Sequence, residues 1–358
     1  MRTGGRNISP REERILGIIE TARAKRPRFK DERVTMAHGA GGKATQTLIE
    51  GLLAPAFGIE ELADAALLDG VALTTDSFVV TPLRFPGGSI GELAVNGTVN
   101  DLAMVGARPL ALSLALILEE GLGADVLRAE VDAIAAAAEA AGVQVVAGDT
   151  KVVERGHADG MYICTTGVGR RDPRASLSPA ALQPGDRILV SGPIGAHGTA
   201  IMLARGELGL DADIESDTRP LWAAADALLE AAGPSLRALR DATRGGVASV
   251  LNELARASGV AIVVREGDVP VDPAVAGAAE ILGIDPMYVA NEGTFVAFVA
   301  PDAADAALAA LRSVDGCARA AEIGEVKTEP PGMVLVNTAF GGRRVMDQLV
   351  GDPLPRIC

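Results

Sequence analysis

Four aspartates lie where strands are predicted to end or helices to begin, which is where α/β proteins gather their ligands. Each stands near glycine or threonine in the sequence. Carboxylate oxygens bind hard cations such as Mg²⁺, and nucleotide sites place several of them beside the phosphates. One such aspartate alone is better explained as the cap of a helix or turn. As a set they predict a site for a metal ion and phosphate: Asp76, Asp101, Asp149 and Asp241.

A glycine-rich turn from His38 to Lys43 precedes a predicted helix. Such a turn can present backbone N–H groups and a lysine to a phosphate. Gly41, Gly42 and Lys43 are therefore candidate nucleotide-binding residues. The spacing is neither that of a P-loop nor that of a dinucleotide fingerprint. A turn that only leads into a helix explains the same residues equally well.

Two further residues are candidates for proton transfer. Lysine is scarce in this chain, yet Lys151 follows Gly148, Asp149 and Thr150, where an ammonium can hold a phosphate or move a proton. Glu292 lies between apolar flanks that read as strand, so burial would raise the pKa of its carboxyl into the range of a useful base. The simple alternatives are a solvated loop lysine and a glutamate that faces water at a strand edge.

The last residue, Cys358, is one of three cysteines. A thiol at that position stabilises no fold, so it suits a carrier group that is handed to another active site. An accidental cysteine on a loose end is the alternative. Gly351, Pro353 and Pro355 prevent regular structure, and eight residues extend to about 26 Å. We therefore predict a flexible tail over residues 351–358.

The bulk composition excludes several classes of protein. A chain of 358 residues is too long for one ordinary core, which predicts two domains. The net charge of -14 argues against nucleic acid and anionic membrane surfaces as partners. No apolar run is long enough to span a bilayer, and no apolar signal core follows Arg2 and Arg6. We expect a cytoplasmic protein whose cysteines stay reduced.

Strands and helices alternate from Val34 onward, which predicts an α/β fold. Before it, residues 1–33 form a basic extension with a predicted helix over Arg11–Ala24. A segment rich in proline, serine, arginine and aspartate at residues 171–186 separates the domains predicted at 34–170 and 171–350. Ser89 and Glu92 predict a capping box at the start of a helix. Other predicted elements are a helix over Ala124–Ala141, strands over Val143–Ala147 and Met287–Ala300, and a helical turn over Arg344–Val350.

Six motifs in this order, together with the ending Pro355-Arg356-Ile357-Cys358, resemble the HypE family of hydrogenase maturation proteins. That family consists of carbamoyl dehydratases within the aminoimidazole ribonucleotide synthetase-like (PurM-like) ATP-binding enzymes. The resemblance runs from about Val34 to Cys358, and nothing in it concerns the basic extension. The motifs are His38–Lys43, Thr74–Ser77, Asn100–Gly106, Gly148–Val153, Asp241–Gly246 and Ala290–Gly293.

The resemblance implies two α/β domains, of which the N-terminal one dimerises through its strands. It also implies ATP between the domains and Mg²⁺ on aspartates, which by motif are Asp76, Asp101, Asp149 and Asp241. Asn100 and Thr150 stand in the same motifs and are candidate nucleotide-binding residues.

For the chemistry, the resemblance implies that a carbamoyltransferase, HypF, loads the thiol of Cys358. The thiocarboxamide is then dehydrated to a thiocyanate at the expense of ATP, and the cyano group passes to iron on the HypC–HypD complex. We expect Glu292 to be the base, with Lys151 as its partner or as a phosphate ligand. Which of the two is the base stays open, as does whether the tail enters the site of its own subunit.

Two rival functions remain. The same fold could transfer phosphoryl groups to a small molecule such as a ribonucleotide or thiamine phosphate. Selenide is disfavoured as a substrate because no cysteine lies near Lys43. A non-catalytic scaffold gated by ATP is the second rival, and the aspartates together with Lys151 favour catalysis over it.

Overall fold

A computed structural model describes residues 28–59, 62–206, 212–349 and 356–358. Within these ranges, no helix combines the length and the apolar character needed to cross a membrane.

The strands are β1 Ala66–Leu68, β2 Val71–Phe78, β3 Arg84–Phe85, β4 Gly88–Ser89, β5 Ala107–Glu119, β6 Gln144–Val153, β7 Met161–Arg171, β8 Arg187–Val190, β9 Leu236–Asp241, β10 Ala261–Arg265, β11 Phe295–Val299, β12 Ala321–Lys327, β13 Met333–Asn337 and β14 Arg343–Met346. The α-helices are α1 Lys43–Leu48, α2 Ala54–Phe57, α3 Ile90–Met104, α4 Ala124–Ala141, α5 Ala196–Ala204, α6 Trp222–Ala232, α7 Gly246–Ser258, α8 Pro273–Leu282 and α9 Ala304–Arg312.

The first sheet has five strands in the order β1-β2-β7-β5-β6. Alternate residues of β2 are buried, because one face of the sheet is covered by α3 and α4 and the other is open. Thr74 and Phe78 lie on the covered face, and so does Asp76 between them. The strand thus carries a carboxylate toward the interior of the protein.

Helix α3 is buried on almost all sides, because the first sheet lies on one side of it and β9, α4 and α6 lie on the others. A helix enclosed in this way is mostly apolar. Gly97 allows the closest approach, since a Cβ there would lie 2.9 Å from the ring of Phe78. Two of its polar residues, Asn100 and Asp101, are consequently held between the two halves of the chain.

The second sheet has seven strands in the order β14-β13-β10-β12-β8-β11-β9. All residues of β11 and most of β8 are buried, because apolar helices cover both faces. Strand β9 is an edge strand that ends at Asp241, and a short turn then starts α7. That turn brings Asp241 to the α3 side of the sheet.

The helix predictions are confirmed at several boundaries. Helix α4 spans Ala124–Ala141 as predicted, and it ends in left-handed Gly142 at φ 68°. Helix α3 begins after Ser89 as predicted, but the capping-box prediction was wrong. The first amides of α3 have other partners: Ile90 N donates to Leu83 O at 2.8 Å, and Gly91 N donates to the buried Glu130 at 3.0 Å.

Three other predictions were wrong in extent or type. Strand β6 runs on to Val153, and β11 begins only at Phe295, so residues 289–294 form an irregular segment. The predicted helical turn over Arg344–Val350 overlaps strand β14, which pairs with β13 because a glycine turn at residues 341–342 reverses the chain. The predicted helix over Arg11–Ala24 lies outside the described residues.

Candidate active site

Three carboxylate groups from distant parts of the sequence meet where α3 lies against β9. Asp64 precedes β1, Asp101 lies on α3, and Asp241 ends β9. One oxygen of each carboxylate lies within 4.8 Å of those of the other two. The hydroxyl of Thr74 lies 2.7 Å from Asp101 Oδ2 and 2.9 Å from the carbonyl oxygen of Asp64. Oxygen ligands this close together are the donors that a hard divalent cation requires.

Burial makes these carboxyl groups difficult to ionise. It raises the pKa of Asp241 to about 8, and the negative charges of Asp64 and Asp76 add to the effect. It also raises the pKa of Asp101 well above its usual range. Arg240 offsets part of this, because its Nε lies 2.9 Å from Asp64 Oδ1 and its charge lowers the pKa of both Asp64 and Asp241. A bound cation would allow the carboxylates to ionise together.

A second guanidinium, that of Arg244, lies among the remaining acidic groups. Burial raises the pKa of Asp76, and the charge of Arg244 lowers it again. The negative charges of Cys358, Asp76 and Glu292 keep the pKa of Arg244 above its usual value. Arg244 therefore stays charged and connects Cys358 electrostatically to the carboxylates.

The glycine-rich turn packs against the turn that follows β9. Gly41 has a φ of 74°, and a Cβ there would lie 2.5 Å from the carbonyl oxygen of Arg244, so a larger residue would clash. Arg244 Nη1 donates to Gly39 O at 3.4 Å, and Ser249 Oγ donates to Gly41 O at 3.1 Å. These contacts place the predicted phosphate turn beside Arg244. The turn and Arg244 line the same cavity, which we call the cleft.

Lys43 follows Gly42 as the first residue of α1 and points away from the carboxylate cluster to the second half of the chain. Its Nζ lies 2.7 Å from Asp347 Oδ2, and its backbone amide donates to Leu349 O at 3.0 Å. In this arrangement Lys43 holds the segment that leads to residues 350–358. Its contact with a phosphate remains a prediction.

Glu292 lies in the irregular segment before β11 and is almost fully buried. Burial raises the pKa of its carboxyl well above the usual range, which confirms the expectation from the sequence, and the charges of Asp241, Asp76 and Asp217 act in the same direction. Asp217 holds the backbone at this point, because its two oxygens accept the amides of Glu292 at 2.9 Å and of Gly293 at 3.0 Å.

Asn100 has a structural task in this arrangement. Its Nδ2 donates to the carbonyls of Glu292 at 3.1 Å and Arg219 at 3.0 Å, and its Oδ1 accepts the amide of Leu221 at 2.8 Å. Because these partners engage both ends of a buried amide, the side chain holds the Glu292 segment. Its contact with a nucleotide remains a prediction.

The segment Asp149–Lys151 is not brought to the cluster within one chain. It lies inside β6, not after it, and is exposed, with Lys151 Nζ 2.5 Å from Asp149 Oδ2. Two strands separate β6 from β2, which corresponds to about 14 Å. The register across the sheet aligns Asp76 with Gly148, through Thr165 on β7 and Leu114 on β5. Because side chains alternate along a strand, Asp149 points to the opposite, open face of the sheet. The expectation that Asp149, Thr150 and Lys151 join Asp76 thus fails for a single copy.

Residues 356–358 lie in the cleft and pair with the segment that follows β2. The amide of Val79 donates to Cys358 O at 3.1 Å, and the amide of Thr81 donates to Arg356 O at 3.4 Å. A cavity of about 350 Å³ adjoins them, and its lining includes Gly39, Gly42, Arg244, Tyr288 and Cys358. The predicted flexibility of the tail is untested, because residues 351–355 lie outside the described ranges.

Comparison with known proteins accounts for this arrangement. Residues 62–171 match the N-terminal domain model and residues 183–336 the C-terminal domain model of AIR synthase related proteins. Carbamoyl dehydratase HypE of Rhodobacter capsulatus is 51% identical over 340 residues, covering 92% of this chain and 99% of that protein. The same enzyme of Escherichia coli K12 is 44% identical over 337 residues, covering 91% and 99%. The chain belongs to the HypE family of carbamoyl dehydratases. Membership in HypE confirms the resemblance found in the sequence.

Solved structures agree on the HypE fold. A crystal structure of a HypE–HypF complex matches with a TM-score of 0.81 and 47% identity, covering 84% of this chain and 99% of that chain. HypE in complex with ATP matches with a TM-score of 0.78 and 42% identity, covering 91% and 100%. Thiamine monophosphate kinase from Aquifex aeolicus, at 18% identity and a TM-score of 0.61, shares the fold alone. The α/β, PurM-like prediction is confirmed.

Sequence reasoning missed four residues of this HypE site. Asp64 completes the carboxylate cluster, but only a short strand follows it and no motif contains it. Arg240 and Arg244 were not singled out, because arginine is common throughout the chain. Asp217 has no glycine-rich neighbourhood, and only its contact with the Glu292 segment identifies it.

The raised pKa of Asp241 predicts how stability depends on pH when divalent cations are absent. The folded chain keeps this proton up to about pH 8, whereas the unfolded chain loses it near pH 4. The contribution of protonated Asp241 to the free energy of unfolding is therefore complete below pH 4 and is lost as the pH rises through 8. We expect Asp241→Asn to gain thermal stability relative to the wild type between pH 5 and pH 9 in EDTA. A difference in melting temperature that stays constant over this range would contradict the assignment.

Proposed function

We propose that this chain dehydrates a carbamoyl group carried on the sulfur of Cys358, giving a thiocyanate at the expense of ATP. The observation that carries the proposal is the position of Cys358 in the cleft, where its charge acts on Arg244 beside Asp76 and Glu292. The relatives named carbamoyl dehydratase HypE support the same reaction.

The cavity beside Cys358 is the proposed site of ATP. Gly39 and Gly42 line it, so backbone N–H groups of a glycine-rich turn are available to phosphate oxygens. Arg244 supplies a fixed positive charge at the same place. The ATP complex of a HypE relative supports a nucleotide site in this fold.

The carboxylate cluster fits a divalent cation such as Mg²⁺. Its oxygens lie within 4.8 Å of one another, and burial keeps protons on them when no cation is present. We propose Asp64, Asp101 and Asp241 as ligands, with Asp76 at the side of the cluster that faces Arg244. Such an ion supplies compensation for negative charge on phosphate oxygens.

The proposed chemistry has two steps. In the first, the carboxamide oxygen attacks the γ-phosphorus, so an O–P bond forms and the bond between the γ-phosphorus and the β,γ-bridging oxygen breaks to release ADP. In the second, the nitrogen loses its protons, the C≡N bond forms, and the C–O bond breaks to release phosphate. Arg244 is the proposed donor to the oxygen on which negative charge develops, because it stays charged beside Cys358 and a fixed donor at such a place lowers the barrier.

Glu292 is the proposed base. Its carboxyl is buried and hydrogen bonds hold its backbone, so a single geometry is presented to the substrate nitrogen. The raised pKa makes it a stronger proton acceptor than an exposed glutamate. Lys151 cannot serve the cleft of its own chain, because it lies on the open face of the far edge strand.

A homodimer would explain both the open sheet face and the position of Lys151. In the described part of the chain, strand β6 is an edge of its sheet and carries three exposed valines, Val145, Val146 and Val152. Such an edge is a template for pairing with another chain. We propose that a second copy covers it, and that Asp149, Thr150 and Lys151 then act at the cleft of that copy.

Two further partners follow from the proposed reaction. The thiol must be loaded by a carbamoyltransferase, and the HypE–HypF complex of a relative supports HypF in that role. The cyano group must leave for a metal acceptor, for which we propose iron on HypC–HypD. Both exchanges need Cys358 outside the cleft, and we propose that they occur in the cytoplasm.

Loss of Cys358 tests the proposed carrier. Intact mass is measured after incubation with HypF, carbamoyl phosphate and ATP. The wild type should gain the mass of one carbamoyl group after loading by HypF. The loaded protein should then lose the mass of one water only when ATP is present. Cys358→Ala should gain nothing, whereas Cys164→Ala, which changes a cysteine on β7, should behave as the wild type. Carbamoylation of Cys358→Ala would refute the carrier role.

Replacement of Glu292 tests the base. Glu292→Gln keeps the shape of the side chain but removes the proton acceptor, so single-turnover formation of thiocyanate should slow by about 10²–10⁴-fold. Glu280→Gln, an exposed glutamate on α8, is the matched control. Normal thiocyanate formation by Glu292→Gln, with loading by HypF intact, would remove Glu292 from the reaction.

Mixing two inactive variants tests the shared site. Glu292→Gln and Lys151→Ala are each expected to be inactive. In a mixed dimer, one cleft holds Glu292 together with Lys151 of the other copy. Random exchange makes half of the dimers mixed with one working cleft each, so about a quarter of wild-type turnover should return. No recovery, with exchange verified by mass, would place Lys151 outside the partner cleft.

A further inference from the structure

Residues 356–358 are bound like a short peptide, because donors from other parts of the chain hold each main-chain oxygen. His197 Nε2 donates to Ile357 O at 2.7 Å, and Arg205 Nη2 donates to Arg356 O at 2.8 Å. Val79 N donates to the main-chain oxygen of Cys358 at 3.1 Å. His197 and Arg205 belong to one helix, since α5 contains the first and is followed directly by the second. We call the residues His197, Arg205 and Val79 the tail seat.

Side-chain contacts add to the tail seat. Ile357 is buried in the same apolar cluster as Phe78 and Ile201. Arg356 donates to Val79 O at 3.2 Å and pairs with Asp159. Together with the carbonyl contacts, these interactions fix the backbone of Cys358 relative to the cleft.

His197 faces the tail with one ring nitrogen and a turn of the chain with the other. Because a carbonyl only accepts, Nε2 carries the hydrogen, and Nδ1 of the neutral ring is an acceptor. Ser216 Oγ lies 2.8 Å from Nδ1 and donates to it. The ring is buried, burial lowers its pKa, and the ring of Phe85 packs edge-on against it at 5.6 Å. The imidazole is thus a neutral bridge with little freedom to rotate.

The turn that Ser216 begins also holds Glu292. Asp217, the next residue, accepts the amides of Glu292 and Gly293. The turn is fixed at its start, because Ser216 N donates to Pro86 O at 2.8 Å and Ser216 Oγ accepts Thr218 N at 3.1 Å. A continuous chain of hydrogen bonds therefore runs from the carbonyl of Ile357 through His197 and Ser216–Asp217 to the backbone of Glu292.

We propose that His197 is a positioning residue that couples occupation of the tail seat to the placement of Glu292. When Ile357 occupies the seat, Nε2–H has its acceptor, the ring orientation is fixed, and Ser216 and Asp217 hold Glu292 for proton removal. When Cys358 leaves for another enzyme, a buried N–H loses its partner, and the ring and the turn relax to satisfy it. The effect on turnover rests on the proposed dehydration, whereas occupation of the seat does not.

Alkylation and single-turnover dehydration separate the two parts of this inference. The rate of iodoacetamide addition to Cys358 is measured by peptide mass in the full-length protein with ATP bound. His197→Leu, which cannot donate, should speed addition by roughly tenfold, as for loss of one buried hydrogen bond. It should still accept the carbamoyl group from HypF but should dehydrate it at least tenfold more slowly. His197→Gln retains a donor and should recover much of both values.

Ser216→Ala isolates the coupling, because it breaks the link to the turn and leaves the bond from His197 to Ile357 in place. We expect alkylation within twofold of the wild type and dehydration slowed at least fivefold. His157→Leu, an exposed histidine in the turn after β6, is the control and should leave both rates unchanged. Wild-type alkylation in both His197 variants would overturn the seat, and wild-type dehydration in Ser216→Ala would overturn the coupling. Failure of the wild type itself to form thiocyanate would instead reject the proposed function.

Discussion

Among the described residues, the burial of several carboxylates beside two guanidinium groups is the constraint on which this structure depends. The charge of Arg240 lowers the pKa of Asp64 and Asp241 within the carboxylate cluster. The charge of Arg244 lowers the pKa of Asp76 and Glu292. Two cations do not balance this much negative charge in a medium of low dielectric constant, so protons are retained. This imbalance of charge is the physical basis of the cation site proposed above.

The position of α3 explains how so much charge stays in one place. The helix is enclosed by the first sheet and by elements of the second half, so most of its residues, including Asn100, are buried. Asn100 uses this enclosure to hold three backbone groups of the second half. The same enclosure holds Asp101, the next residue, close to Asp241. Packing of the two halves and assembly of the site are consequently one event.

The sequence singled out Asp76, Asp101, Asp241 and Glu292 from local motifs, and the fold brings these side chains close enough for their charges to shift one another's pKa. Their roles in binding and catalysis remain predictions. The sequence did not show where in its strand Asp149 lies, because the point at which β6 ends depends on pairing with β5 and not on local composition. It also did not reveal Asp64 or Asp217. Their roles arise from contacts across long stretches of chain, which no short motif records.

A substrate attached to its own enzyme sets a narrow range for the strength of the tail seat. A short tether supplies a local concentration on the order of millimolar, so even a weak seat is occupied. A seat much stronger than that would keep Cys358 from the enzyme that loads it. The observed contacts suit this balance, because they are directed mainly to backbone carbonyls of Arg356 and Ile357, each of modest net strength. In the proposed reaction, selectivity for the loaded state then has to come from the cleft beyond the seat, where Arg244 and the carboxylates are proposed to contact the group on sulfur.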